Sequence, residues 1–150
     1  MNTRAKLLAA VAAGGVLVLL LAQREEPSAR VQALRDDAMA GYAPPGGALV
    51  DTASRNEGRV GGEPVPASYT RLFRLDADAD AERALEDARA AAEAAGWERL
   101  GEATATTFVG SKRVPSGRIT LTLALVEDPR LLPEGVEPPV LSVGLRHLGG

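Results

Sequence analysis

The chain has 150 residues, 45% of them apolar and 25% charged, with a formal charge of −3, one histidine (His147) and no cysteine. That size and balance suit one folded domain plus its attachments. The residue inventory excludes disulfide scaffolds, thiol nucleophiles, iron–sulfur clusters, zinc sites built on Cys and His, and a lipoprotein whose lipid is carried by cysteine.

The first element is directed at a membrane. Arg4 and Lys6 precede an uncharged run from Leu7 to Ala22, which Gln23, Arg24 and Glu25 close. As a helix this run rises about 24 Å, between a signal-peptide core and a full crossing of the ~30 Å hydrocarbon layer. Cleavage after Ala22 would place Leu20 where signal peptidase wants a small residue, so an uncleaved anchor is favoured over a secreted, released domain. The basic amino-terminal flank orients the chain as a single-pass protein of the cell membrane, amino terminus cytoplasmic and the remainder extracytoplasmic. From Glu25 onward 20 acidic residues stand against 14 basic ones, a formal −6. Such a surface disfavours phosphate backbones, so no nucleic-acid partner is expected.

Three regions follow: residues 1–24 as anchor or signal segment, 25–47 as a juxtamembrane helix and Pro/Gly linker, and 48–150 as the extracytoplasmic domain. In the second, Ser28 caps a short helix carrying Val31, Leu34 and Ala38, Gly41 ends it, and Pro44 to Gly47 break the chain. In the third, strands are expected at Ala48–Ser54 and Ser68–Leu75, separated by the Gly/Pro-rich loop Gly58–Pro66. Tyr69, Phe73 and Leu75 share a face of the second strand, interrupted by Arg71. The spacing predicts a helix over Ala79–Ala95, with Ala81, Leu85, Ala88, Ala92 and Ala95 on one side and Gly96-Trp97 forming its terminus. Strands Glu102–Val109, Arg118–Val126 and Val140–Arg146 complete the pattern. The fold class is α+β, a two-layer sandwich of β-β-α-β-β-β order with four to five antiparallel strands covered by one helix.

The segment from Tyr69 to Leu125 combines an extended Tyr-any-Arg-any-Phe-Arg stretch, an Ala-rich helix ending Ala94-Ala95-Gly96-Trp97, Phe108-any-Gly110-any-Lys112 and a Leu/Thr strand. In this it resembles small, membrane-anchored, uncharacterised proteins of actinobacteria. The resemblance implies location and architecture and carries no activity or functional residue.

Chemical motifs are weak. Asp76, Asp78 and Asp80 imitate the start of a calcium loop, but Ala81 replaces its glycine and Asp87 its bidentate glutamate, and acids at that place cap the helix that follows. Leu132-Pro133-Glu134-Gly135 lacks the threonine of a sorting signal, and Gly110-Ser111-Lys112 lacks the order of a phosphate loop. Lys112, Arg113 and Arg118 read as an exposed hairpin tip, with an anion or lipid headgroup contact as the alternative. Asp51, Glu102 and His147 are the acid/base candidates for an otherwise unrecognised hydrolase. No catalytic residue, metal ligand or cofactor is assigned, and no enzyme is expected.

A binding surface is expected on the sheet face opposite the helix, where alternation places Arg74, Thr104, Thr106, Phe108, Thr120, Thr122, Ser142 and Arg146. The expected function is binding by the outer domain, either as an accessory subunit of a membrane complex or as a sensor of an envelope component.

Overall fold

Two periods of apolar residues, two along the strands and nearly four along the long helix, sort the described residues into one main antiparallel sheet with two helices on the same side of it. The computed structural model describes residues 26–149. The run Leu7–Ala22 lies outside them, and among the described residues no helix is long and apolar enough to cross a membrane. In chain order the elements are α1 (Ala29–Arg35), a 3-10 turn (Ala38–Ala40), β1 (Gly47–Arg55), β2 (Gly58–Val60), β3 (Glu63–Val65), β4 (Ala67–Leu75), α2 (Ala81–Ala94), β5 (Glu98–Arg99), β6 (Thr107–Val114), β7 (Gly117–Val126), a second 3-10 turn (Pro129–Leu131) and β8 (Val140–His147). The main sheet has six strands in the order β1-β4-β8-β7-β6-β5. Every neighbouring pair in it is antiparallel. β1 and β4 form a long hairpin, α2 carries the chain to the other edge of the sheet, and β6, β7 and β8 meander back to β4.

Ile119, Leu121, Leu123 and Leu125 line the inner face of β7 and are met by Leu141, Val143 and Leu145 of β8 and by Phe73 and Leu75 of β4. Leu85, Ala88 and Ala92 of α2 pack onto them, together with Val31 and Leu34 of α1 and Met39 of the turn that follows. Each buried Leu or Ile contributes about 1.5–3 kcal/mol of transfer free energy, so this layer is the main source of stability. α2 starts where Asp80 Oδ1 accepts the Arg83 amide at 3.0 Å. It ends where Gly96, at φ +86°, lets the Trp97 amide reach the Ala92 carbonyl at 3.1 Å and the Gly96 amide reach Glu93 at 3.1 Å. This Schellman ending delivers Trp97 to the core, as the Gly96-Trp97 pair predicts.

Polar side chains tie the two layers. Arg71, the interruption in the inner row of β4, donates through one guanidinium nitrogen to the carbonyls of Ala40 at 2.8 Å and Tyr42 at 3.0 Å, satisfying the end of the 3-10 turn. Asp37 accepts from the Met39 amide, the Trp97 indole and the Lys112 ammonium at 2.9, 3.1 and 2.9 Å.

The α+β class, the antiparallel sheet and the chain order of the main elements agree with the sequence, and four details differ. The sheet has six strands under two helices. α1 is not a stalk outside the domain: Val31 and Leu34 are in the core, consistent with a seven-residue helix needing tertiary contacts to persist. The stretch from Gly58 holds the β2–β3 hairpin, whose turn residues Gly61 and Gly62 both take positive φ, as a type I′ turn requires. The sixth strand begins at Thr107, five residues later than expected. Thr104 Oγ1 accepts the amides of Thr106 and Thr107 at 3.3 and 3.0 Å, a local turn that removes those donors from any ladder.

Candidate functional site

With both helices on one side, the other side of the sheet is the surface that residue alternation leaves open. Cross-strand register aligns its rows. Thr107, Ala124, Ser142 and Leu72 form one; Val109, Thr122, Gly144, Thr70 and Ala53 form the next; and Ser111, Thr120, Arg146, Ser68 and Arg55 form a third. Apart from Leu72 and the two arginines of the third row these side chains are short, so the centre of the face is flat. A Cβ built at Gly144 would meet Thr70 Oγ1 at 3.6 Å and the Thr122 carbonyl at 3.8 Å, which places the three together at the centre of the sheet. At one end the face closes, because Val140 is fully buried.

Of the expected surface residues, Arg74, Thr120, Thr122, Ser142 and Arg146 lie on this face. Thr104 and Thr106 do not, being in the loop before β6. Phe108 is on the opposite face, paired with Leu123 and 1% exposed. Its ring lies over Gly110, where an added Cβ would come within 3.1 Å of it. The misplacement follows from the strand start. A strand counted from residue 102 puts Thr104, Thr106 and Phe108 on the outer face, whereas the ladder of Thr107–Val114 turns the one bulky aromatic to the core. Thr70, Leu72, Val109 and Gly144 join the face unannounced; only register across four strands brings them together.

The acid/base candidates are not assembled. Asp51 pairs with Leu72, which pairs with Ser142, five residues and roughly 17 Å of strand from His147 and on the other face. Glu102 lies in the loop before β6. His147 has a serine partner that the sequence conceals: Ser116 Oγ stands 2.8 Å from Nε2. The Gly149 amide donates to Nδ1 at 3.0 Å, so Nδ1 carries no proton, and in the neutral ring Nε2–H is the donor to Ser116. Nε2 therefore has no lone pair for the serine proton, and the pair closes the carboxy-terminal end of β8 rather than activating a nucleophile. Burial, and then the nearby Arg30 charge, push the His147 pKa down, with Glu57 opposing.

Lys112, grouped in the sequence with Arg113 and Arg118, faces inward and binds Asp37, while Arg113 and Arg118 pair across the hairpin on the outer side. Three surface depressions surround this hairpin, of about 330, 340 and 160 Å³. The smallest, lined by Glu98, Ser111, Arg113 and Arg118 among others, is below the usual size of a small-molecule site, and the two larger ones are open to solvent. Asp80, a member of the acidic run, is engaged as the cap of α2. Among the described residues no group of three or more His, Asp or Glu is placed to hold a metal ion.

Compared with known proteins, the chain matches no family model, no curated protein and no solved structure.

Proposed function

We propose that this is a single-pass membrane protein, anchored by Leu7–Ala22, whose extracytoplasmic domain works by binding a macromolecular partner on its open sheet face. The observation that carries the reading is the asymmetry of the sheet: two helices cover one face of the four central strands, and a flat surface centred on Thr122, Gly144 and Thr70 is left on the other. A flat patch of small side chains suits another protein surface better than a small molecule, which needs a concave site. An accessory subunit of a membrane complex fits best, since an anchored domain meets its neighbours laterally; an envelope component is the other class of partner.

The test is purification of the tagged protein from its own membranes in mild detergent, with mass spectrometry of whatever accompanies it in stoichiometric amount. The reading expects a partner retained by the native chain and lost with Thr122→Arg, which places a long charged side chain on the face. A partner held equally by both chains removes the sheet face from the account. Intact mass of the same sample tests the anchor: a protein lacking residues 1–22 is a released domain.

A further inference from the structure

The two ends of the sheet differ in charge. Arg55 closes β1, Arg146 lies next to the end of β8, and Arg113 and Arg118 face each other across the β6–β7 hairpin, so the register gathers all four on the outer face at one end. Arg30 of α1 reaches Gly149 at this end, and Arg59 stands in the β2–β3 tip beyond it. None of these six forms an ion pair among the described residues. Glu26 and Asp36 flank α1, Glu57 accepts from its cap residue Ser28, Glu63 stands in the tip, and Glu98 shares the corner with Arg113 and Arg118. The opposite end is acidic: residues 76–80 and 127–137 hold seven carboxylates, against Arg74 at the end of β4 and Arg130, which is bound to Asp128.

The chain enters at the arginine end. Ser28 donates its amide to Asn56 Oδ1 at 2.8 Å and its hydroxyl to Glu57 at 2.6 Å, and Asn56 donates to the Glu26 carbonyl at 3.0 Å. Residues 26–28 are thus held against the turn that follows Arg55. Ala22, the last residue of the apolar run, is four residues from Glu26, a span of at most about 14 Å. A tether of that length allows Arg55, which adjoins Asn56, to come within reach of a surface potential, which decays over about 8 Å at physiological salt.

We propose that this end of the sheet is a membrane-surface contact, in which Arg55, Arg113, Arg118 and Arg146 seat on anionic phospholipid headgroups and the acidic end points away. The proposal rests on the reading of Leu7–Ala22 as a membrane segment. Repulsion of the seven far carboxylates by the same headgroups gives the orientation its sign. With the strand ends on the membrane, the open face is turned sideways, toward a neighbour in the plane of the bilayer.

Because the chain has no cysteine, Leu148→Cys at the arginine end and Glu134→Cys at the acidic end can each carry one fluorophore in the full-length protein, reconstituted in nanodiscs with headgroup-nitroxide lipid. With phosphatidylglycerol present, quenching at 148 is expected and quenching at 134 is not. Replacing the four exposed arginines by Gln, or using phosphatidylcholine alone, should lower the docked-to-undocked ratio at least about tenfold. Equal quenching at both sites, or quenching at 148 indifferent to lipid charge and to the arginines, overturns the contact. Failure of the chain to enter the nanodiscs overturns the anchor and the contact with it, a result told apart by co-elution before any fluorescence is read.

Discussion

Asp37 and Trp97 meet across 60 residues of sequence, indole Nε1 donating to carboxylate Oδ1 at 3.1 Å, and their bond locks the end of α1 to the end of α2. The same carboxylate holds the Met39 amide and the Lys112 ammonium while its side chain is 4% exposed. Removing an acceptor that serves three donors, two of them on the buried residues Met39 and Trp97, costs more than any one hydrogen bond, because those two are left without their partner. Asp37→Ala should therefore destabilise the domain by roughly 2–4 kcal/mol. Urea unfolding followed by the fluorescence of Trp97, the single tryptophan, checks this, and a loss under about 0.5 kcal/mol contradicts it.

The face assignment makes a paired prediction on β7. Leu123 is fully buried and Thr122 exposed. Leu123→Ala should cost about 2–5 kcal/mol through the cavity it leaves, and Thr122→Ala less than about 0.5 kcal/mol. Comparable losses at both positions, measured by shift in unfolding midpoint, would mean that the outer face is covered.

Gly96 is required by its backbone. At φ +86° a β-branched side chain is strained whatever the space around it. Gly96→Val should lose about 1–2 kcal/mol or more, and Gly96→Asn, which tolerates this region, distinctly less. An equal loss from both variants in thermal denaturation would point to crowding instead.

His147 gives the fold a pH dependence of known sign. Burial and Arg30 hold its pKa below the ordinary 6.5, so the unfolded chain binds the proton more readily than the folded one. Its contribution is complete above pH 6.5 and is lost as pH falls from there toward the lowered folded value. Glu57, whose pKa is lowered first by its Ser28 hydrogen bond, acts in the same direction only below its ordinary 4.5. Between pH 7 and 5 the melting temperature should fall, and His147→Gln should flatten that fall even if it lowers the starting value. An unchanged slope in the variant refutes the assignment.

What the sequence reveals about this fold follows from how locally each element is specified. β7, the capped helix α2 and its Gly96-Trp97 ending are written in consecutive residues and are legible. α1 carries the right apolar spacing, but nothing local says that Val31 and Leu34 meet β4 and β8 rather than solvent. The start of β6 is hidden because Thr104 competes for the backbone amides with its own hydroxyl, and one shifted boundary reverses every side chain after it, Phe108 included. Sites made by register, such as the Thr70-Thr122-Gly144 surface and the arginine corner, have no linear signature. The Ser116–His147 pair is invisible for the same reason, spanning 31 residues across a hairpin and a strand end.

The most direct test of the account is site-specific photo-cross-linking in intact cells, with one probe residue replacing Thr122 on the open sheet face and another replacing Glu86 on the exposed side of α2. The account expects a discrete adduct from position 122 and none of the same mass from position 86. No adduct at 122, or the same adduct from both positions, would contradict the open sheet face as the working surface of this protein.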